Sequence, residues 1–143
     1  MNLNPEIWGP HYWFFLHTIA ISYPIYPNSV TKKKYYEFIS NLPLFIPVEY
    51  IANQFSKLLD KYPITPYLDS RDSFIRWMHF IHNKINANLE KPKLSLHEFY
   101  VKYYEKYNSK DVKINKIHKW KKHLIYTIII LSMVFFIFYF YHK

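Results

Sequence analysis

The stretch "WMHFIHNKIN", Trp77 to Asn86, places two histidines, two asparagines and a tryptophan within three helical turns. Imidazoles can ligate metals or trade protons, carboxamides can read the edge of a heterocycle, and an indole can stack on one. Four explanations compete: a metal, a nucleic acid, a planar cofactor, or no ligand at all. His79 and His82 stand at i, i+3 and could reach one ion, with His11, His17 and His97 as further donors. Zinc usually takes four N, S or O ligands. No HExxH pattern and no histidine pair with a carboxylate at ligating spacing is present, so no metal site is expected. There are no cysteines. Thiolate nucleophiles, disulfides and cysteine-type zinc sites are thereby excluded.

Charge disfavours nucleic acid. The net +9 is uneven: residues 1–107 hold 12 Lys/Arg against 9 Asp/Glu, and residues 108–143 hold 7 Lys against one Asp. A nucleic-acid binder needs its basic face on the folded part, and here the excess lies in the tail. Lysine outnumbers arginine 17 to 2, and one glycine, Gly9, stands where average usage gives roughly ten. That skew has the look of an AT-rich coding genome, so lysine and asparagine content carries little by itself, while the single Gly9 draws notice.

The elements that must position these groups read as helices. Pro10 suits the first helical position of "PHYWFFLHTIAIS". "TKKKYYEFISNL" follows, with Thr31 as its cap. "PVEYIANQFSKLLDK" opens at Pro47 and spaces Val48, Ile51, Phe55, Leu58 and Leu59 helically. "SRDSFIRWMHFIHNKINANL" takes Ser70 or Asp69 as cap, and "SLHEFYVKYYEKY" opens on the capping box Ser95-x-x-Glu98. Proline-containing turns separate them, and no strand-period alternation competes. Residues 108–123 read as a basic linker. From Leu124 to Tyr141 there is no charge, an apolar run long enough for a membrane span. Lys113, Lys116, Lys119, Lys121 and Lys122 precede it, and basic flanks stay cytoplasmic and attract anionic lipid. The expectation is a single-pass, tail-anchored protein of a host or virion membrane, its N-terminal domain facing the cytosol. No N-terminal signal peptide is visible.

Taken alone, these residues favour the plainer reading, in which Trp13 and Trp77 fill a core and the His/Asn set is a solvated face. Two motifs change the balance. "WGPHYWFFLHTIAISYP" carries Trp8, Gly9, Trp13, Leu16, His17, Tyr23 and Pro24, and "WMHFIHNKINANLEKP" carries Trp77, His82, Asn83, Ile85, Asn86, Lys91 and Pro92. At this spacing, over residues 7–107, the chain resembles the FAD-linked sulfhydryl oxidases of the Erv/ALR family, above all the short forms of large DNA viruses. The resemblance implies an all-α fold, a four- to five-helix bundle over residues 1–107 that holds FAD, followed by the transmembrane helix at 124–141. It assigns cofactor binding to Gly9, Trp13, His17, Tyr23, His82, Asn83, Asn86 and Lys91. His82, Asn83 and Asn86 are expected on one helix face, Trp13 and His17 on another, with Lys91 toward a phosphate. It also implies a family reaction, protein dithiol to disulfide with electrons passed through FAD to oxygen, and the possibility of homodimers.

The departure from the family pattern is chemical. Where the family has its redox C-x-x-C after a proline, this chain has Pro47, Val48, Glu49, Tyr50 and Ile51, so Val48 and Ile51 hold the two cysteine positions. A second disulfide is missing too, its places taken by His79 and Leu96 or its neighbours. Pro10 stands where the family often has arginine. Dithiol oxidation needs an attacking thiolate, and this chain has none. The expected function is that of a membrane-anchored family member that is catalytically degenerate, a flavin-binding pseudoenzyme or an accessory to a cysteine-bearing paralogue. The alternative is a cofactor-free helical scaffold or tether at a membrane.

Overall fold

The computed structural model describes residues 3–108 and 110–142, and the side chains of those outside 108–116. Lys143 and the side chains of Lys113 and Lys116 lie outside the described residues. The described residues form six α-helices and no strand: α1 Pro5–Ser22, α2 Ser29–Asn41, α3 Glu49–Lys61, α4 Arg71–Asn88, α5 Leu96–Glu105 and α6 Lys110–Tyr141. Short 3₁₀ turns lie between α2 and α3 and between α3 and α4.

Local chemistry sets the helix ends, in three places differently from expectation. α1 starts at Pro5, not Pro10, because Asn4 accepts the Glu6 amide through its side chain and Pro5 supplies the preset φ of a first helical position. Pro10 is therefore interior, at the start of the second turn, and the helix forgoes one amide donor there. α2 is capped by Asn28, whose Oδ1 accepts the Thr31 amide at 2.8 Å; Thr31 is the capped residue and not the cap. α3 opens at Glu49 with Val48 as its N-cap, so Pro47 lies outside it. α4 takes Ser70 as expected, closed by Ser73, and the Ser95–Glu98 capping box of α5 forms in both directions.

The chain divides into two compact units, the first running through Phe99 and the second from Tyr100. In the first, α1 packs lengthwise on α4. Leu16 and Ala20 of α1 and Phe74, Ile75, Trp77, Met78, Ile81 and Ile85 of α4 are buried. Their spacing of three and four residues gives each helix one apolar stripe. Two large polar tips inside this core are satisfied. The Trp77 indole donates to the Tyr62 carbonyl at 3.0 Å, and the Tyr23 hydroxyl to the Leu68 carbonyl at 2.8 Å.

α4 ends in a turn that reverses the chain. Glu90 adopts φ 56°, the Glu90 amide bonds the Ala87 carbonyl, and the Lys91 amide bonds the Asn86 carbonyl at 2.8 Å. This is the hydrogen-bond pattern of a Schellman motif, whose left-handed position usually holds glycine. In the second unit, the segment expected as a linker is helical from Lys110 onward. Ile117–Tyr141 of α6 is a 25-residue stretch that contains an 18-residue apolar window of mean hydropathy 2.3, none of it buried. At 1.5 Å per residue this is about 37 Å, enough to cross a membrane.

Candidate functional site

α1 and α4 meet through two imidazoles. His17 Nε2 lies 2.8 Å from His82 Nδ1. His17 is 3% exposed, and its place one turn after Trp13 on α1 turns both side chains toward α4. The Trp13 indole stacks on the His82 ring at 3.9 Å with 9° between planes. Phe55 of α3 approaches Trp13 with centroids 6.5 Å apart, and Phe99 of α5 approaches His17 at 4.3 Å. The result is a half-buried aromatic cluster with two polar atoms not used by the protein. Among the described residues, Nδ1 of His17 is buried and unpartnered, and Nε2 of half-buried His82 has no hydrogen-bond partner.

Burial disfavours the charged imidazolium. Burial first, then the neighbouring His82 and His79, lowers the His17 pKa from 6.5 to about 3. Burial, then His79, lowers His82 to about 4. At neutral pH both rings are uncharged, each with one N–H and one bare nitrogen.

The rest of the expected site divides. Asn83 points elsewhere than His82. Its Nδ2 donates to the Leu94 carbonyl at 2.8 Å, and its Oδ1 accepts the Leu94 amide at 3.0 Å. His79 Nε2 lies 2.9 Å from the same carbonyl. A carbonyl can only accept, so His79 carries its proton on Nε2, and its 3.2 Å approach to Asn83 Nδ2 is a meeting of two donors. Successive helix positions differ by about 100°, so Asn83 shares its face with His79 and not with His82. Together they clamp the chain entering α5. Tyr23, also expected at the site, is a core residue with 0% exposure. Its ring packs edge-on against Tyr35 and Phe74, its hydroxyl is committed to Leu68, and its carbonyl accepts from Arg71. The His17–His82 contact does not include it.

Asn86, one turn beyond His82, is half-buried and makes no side-chain hydrogen bond among the described residues. Lys91 is exposed and has no acidic partner among them. Gly9 sits on α1 one turn before Trp13, and a Cβ built there would meet nothing within 4 Å. Nothing in the fold requires glycine at that position. Val48 and Ile51 are half-buried at the start of α3, and Ile51 lies one turn before Phe55 on the same side of the helix. Among the described residues no three His, Asp or Glu side chains converge as a metal site. A cleft of about 350 Å³ between α2 and α3, lined by Tyr36, Ser40, Ser56 and Asp60 among others, includes none of the cluster.

Sequence reading did not find Phe99, which closes the cluster over His17, or Leu94, the anchor of the clamp. Phe99 belongs to a helix rich in aromatics, and nothing in its spacing singles it out.

Comparison with known proteins places this geometry among relatives. The Erv1 / Alr family pattern matches residues 10–117. The chain is 34% identical over 97 residues to the probable FAD-linked sulfhydryl oxidase R368 of Acanthamoeba polyphaga mimivirus, covering 67% of this chain and 68% of that protein. It is 34% identical over 85 residues to the mitochondrial FAD-linked sulfhydryl oxidase ERV1 of Saccharomyces cerevisiae, covering 59% of this chain and 44% of that one. Among solved structures it is similar to the FAD binding domain of Erv1 from Saccharomyces cerevisiae, with TM-score 0.66 and 29% identity over 73% of this chain and 97% of that one.

Proposed function

The chain belongs to the Erv1/Alr family, and from that premise we propose that it binds FAD without running the family's dithiol oxidation, as a membrane-anchored member whose redox relay is gone. The observation that carries the binding half is the Trp13–His17–His82 cluster: a stacked indole, a buried imidazole with an unpartnered nitrogen and a half-buried one, in a fold similar to an FAD binding domain. A buried polar group without a partner is costly, and such a group set beside an open aromatic plane supports a ligand-binding reading. Trp13 offers a plane, His82 Nε2 and the Asn86 amide offer hydrogen bonds, and Lys91 offers a cation for a phosphate. Gly9 leaves room on α1 for close approach. Asn83 supports the site by fixing the α4–α5 connection. Tyr23 supports it only through the core.

Bound flavin would supply a two-electron acceptor. The chain's own residues bring it no electrons from a dithiol, because Val48 and Ile51 have neither a thiolate to attack nor a sulfur to be attacked. Both are apolar and half-buried, which suits a packing role where relatives named sulfhydryl oxidases need sulfur. We propose that the partner is a cysteine-bearing paralogue or a protein dithiol held close to a flavin that this chain binds, with self-association into dimers available as in the family. The proposed domains are the helical body at 1–107, the basic segment at 108–123 and the span at 124–141. Support for the span is the length and hydropathy of Ile117–Tyr141, and support for a cytosolic body is the lysines before it.

The deciding experiment is to purify the full chain in mild detergent and record its visible spectrum with and without added FAD. A yellow protein, or quenching of tryptophan fluorescence on titration, is expected. A colourless chain that ignores FAD would replace this reading with the cofactor-free tether. Membrane attachment is read separately: the full chain should stay in the pellet after carbonate washing.

A further inference from the structure

Among the described residues, Nδ1 of His17 is the buried side-chain atom that lacks a hydrogen-bond partner. Its position decides where the protons of the histidine pair lie. The 2.8 Å contact between His17 Nε2 and His82 Nδ1 needs one donor and one acceptor, and two neutral rings allow only two arrangements. In one, His17 carries its proton on Nε2 and donates to a bare His82 Nδ1. His82 must then carry its own proton on Nε2, and the orphaned His17 Nδ1 is a bare nitrogen. In the other, His82 donates from Nδ1. The His17 proton is then forced onto Nδ1, inside the core, and His82 shows a bare Nε2 to the outside.

The second arrangement buries an N–H with no acceptor, and orphaned buried N–H groups are the rarest kind of unsatisfied polar atom. The Phe99 ring, centroid 4.3 Å from that of His17, could receive it only as a second-order N–H···π contact. The first arrangement leaves both rings in the Nε2–H form, which a free imidazole side chain also prefers. It is reinforced by the absence of a charged state, since both rings remain neutral at pH 7. Stacking on Trp13 fixes the His82 plane, so its Nε2 edge, across the ring from His17, has a set direction.

We propose that His17 is a positioning residue that holds His82 in the Nε2–H form, so that the site presents a hydrogen-bond donor to an acceptor atom of a nucleotide ligand. The ligand half rests on the flavin reading; the proton assignment does not. The site is thereby selective for an acceptor, a phosphate oxygen or a bare ring nitrogen, at that edge.

The test is a two-bond ¹⁵N–¹H correlation spectrum of the full chain in detergent micelles with ¹⁵N-labelled histidine at pH 7, recorded beside an FAD titration. The expected result is a pyridine-type Nδ1 and a pyrrole-type Nε2 for both His17 and His82. In His17→Leu, His82 should become a mixture of tautomers and the Kd for FAD should rise about tenfold, the value of one hydrogen bond, without loss of melting temperature. His17→Gln, whose amide can donate to His82 Nδ1, should recover the Nε2–H form and most of the affinity. A pyrrole-type Nδ1 on His82 in the unaltered chain overturns the proposal, as does a His17→Leu protein with His82 tautomer and FAD affinity both unchanged. If His17→Leu does not fold, the unaltered chain and His17→Gln decide. If the unaltered chain binds no FAD, the flavin reading and the ligand half fail together, and the spectrum alone still tests the proton assignment.

Discussion

Trp13 of the seam between α1 and α4 packs against Phe55, one turn beyond Ile51 on α3, and that seam and the first turn of α3 are chemically opposite. The seam concentrates an indole, one buried and one half-buried imidazole, and a half-buried carboxamide. The α3 turn offers Val48 and Ile51, which have no polar side-chain atom. Holding a planar cofactor takes flat apolar surface and a few fixed hydrogen bonds, all available from ordinary side chains. Passing electrons from a dithiol takes sulfur, with a thiolate in reach of a disulfide. The two sets are separable, because hydrocarbon side chains can fill a packed helix start without supplying any redox chemistry.

The largest effect should come from restoring the missing half. The unaltered chain with added FAD and dithiothreitol should consume oxygen no faster than free FAD. Val48→Cys with Ile51→Cys should move that rate from background to one proportional to protein, since the i, i+3 spacing across a helix start keeps the two Cα atoms within the roughly 7 Å that a disulfide allows. Turnover by the unaltered chain would collapse the contrast between the two regions.

Acid should attack the seam and spare the α3 turn. The folded pKa of each histidine is lowered from 6.5, to about 4 for His82 and about 3 for His17, so the unfolded chain binds more protons in between. Stability is then fully present above pH 6.5 and is lost as pH falls toward 4 and below, at about 1.4 kcal/mol per pH unit for each histidine. Melting temperature followed from pH 7 to pH 4 should show this slope, and His17→Leu should remove its share.

A smaller pair of effects separates site from core within the same helices. Asn86→Ala should weaken FAD binding by about 1–3 kcal/mol with little change in melting, because its amide has no partner to lose among the described residues. Tyr23→Phe should do the reverse. It strands the Leu68 carbonyl, costs about 1–2 kcal/mol of stability, and leaves the FAD Kd unchanged. An affinity loss in Tyr23→Phe would return that residue to the site.

The smallest effects come from the chain's one glycine. Gly9→Ala should stabilise α1 by up to about 1 kcal/mol, since the fold leaves space for the methyl group and glycine is a poor helix former. Glu90→Gly should add about 1 kcal/mol at the left-handed end of α4. Only the first should weaken FAD binding, and equal affinity in both variants would show that Gly9 has no ligand to admit.

The helices were legible in the sequence because period and caps are local. The Ser70 cap and the Ser95–Glu98 box follow from contacts three residues apart. The misplaced starts of α1 and α2 have the same cause: two candidate signals lie close together, and Asn4 and Asn28 are the stronger caps. The cluster was legible in part. Trp13, His17 and His82 could be named, and about 100° of helix rotation already turns Asn83 away from His82, but only the path of the α4–α5 connection says that Leu94 lies there. The same holds for Tyr23, whose motif position gives no hint that Leu68 would take its hydroxyl.

By itself the sequence determined what segments must form and which atoms are on hand: period and hydropathy dictate the helices and the apolar run, and no cysteine sulfur is among the side chains. Composition and local spacing suffice for such statements because they depend on atoms within one residue or one turn. Tertiary structure alone decided that His17 meets His82 sixty-five positions away, that Trp13 stacks on that ring, and that one imidazole nitrogen is left buried without a partner. Those outcomes depend on how α1 lies against α4, which is set by the packing of two apolar stripes and by no residue taken singly.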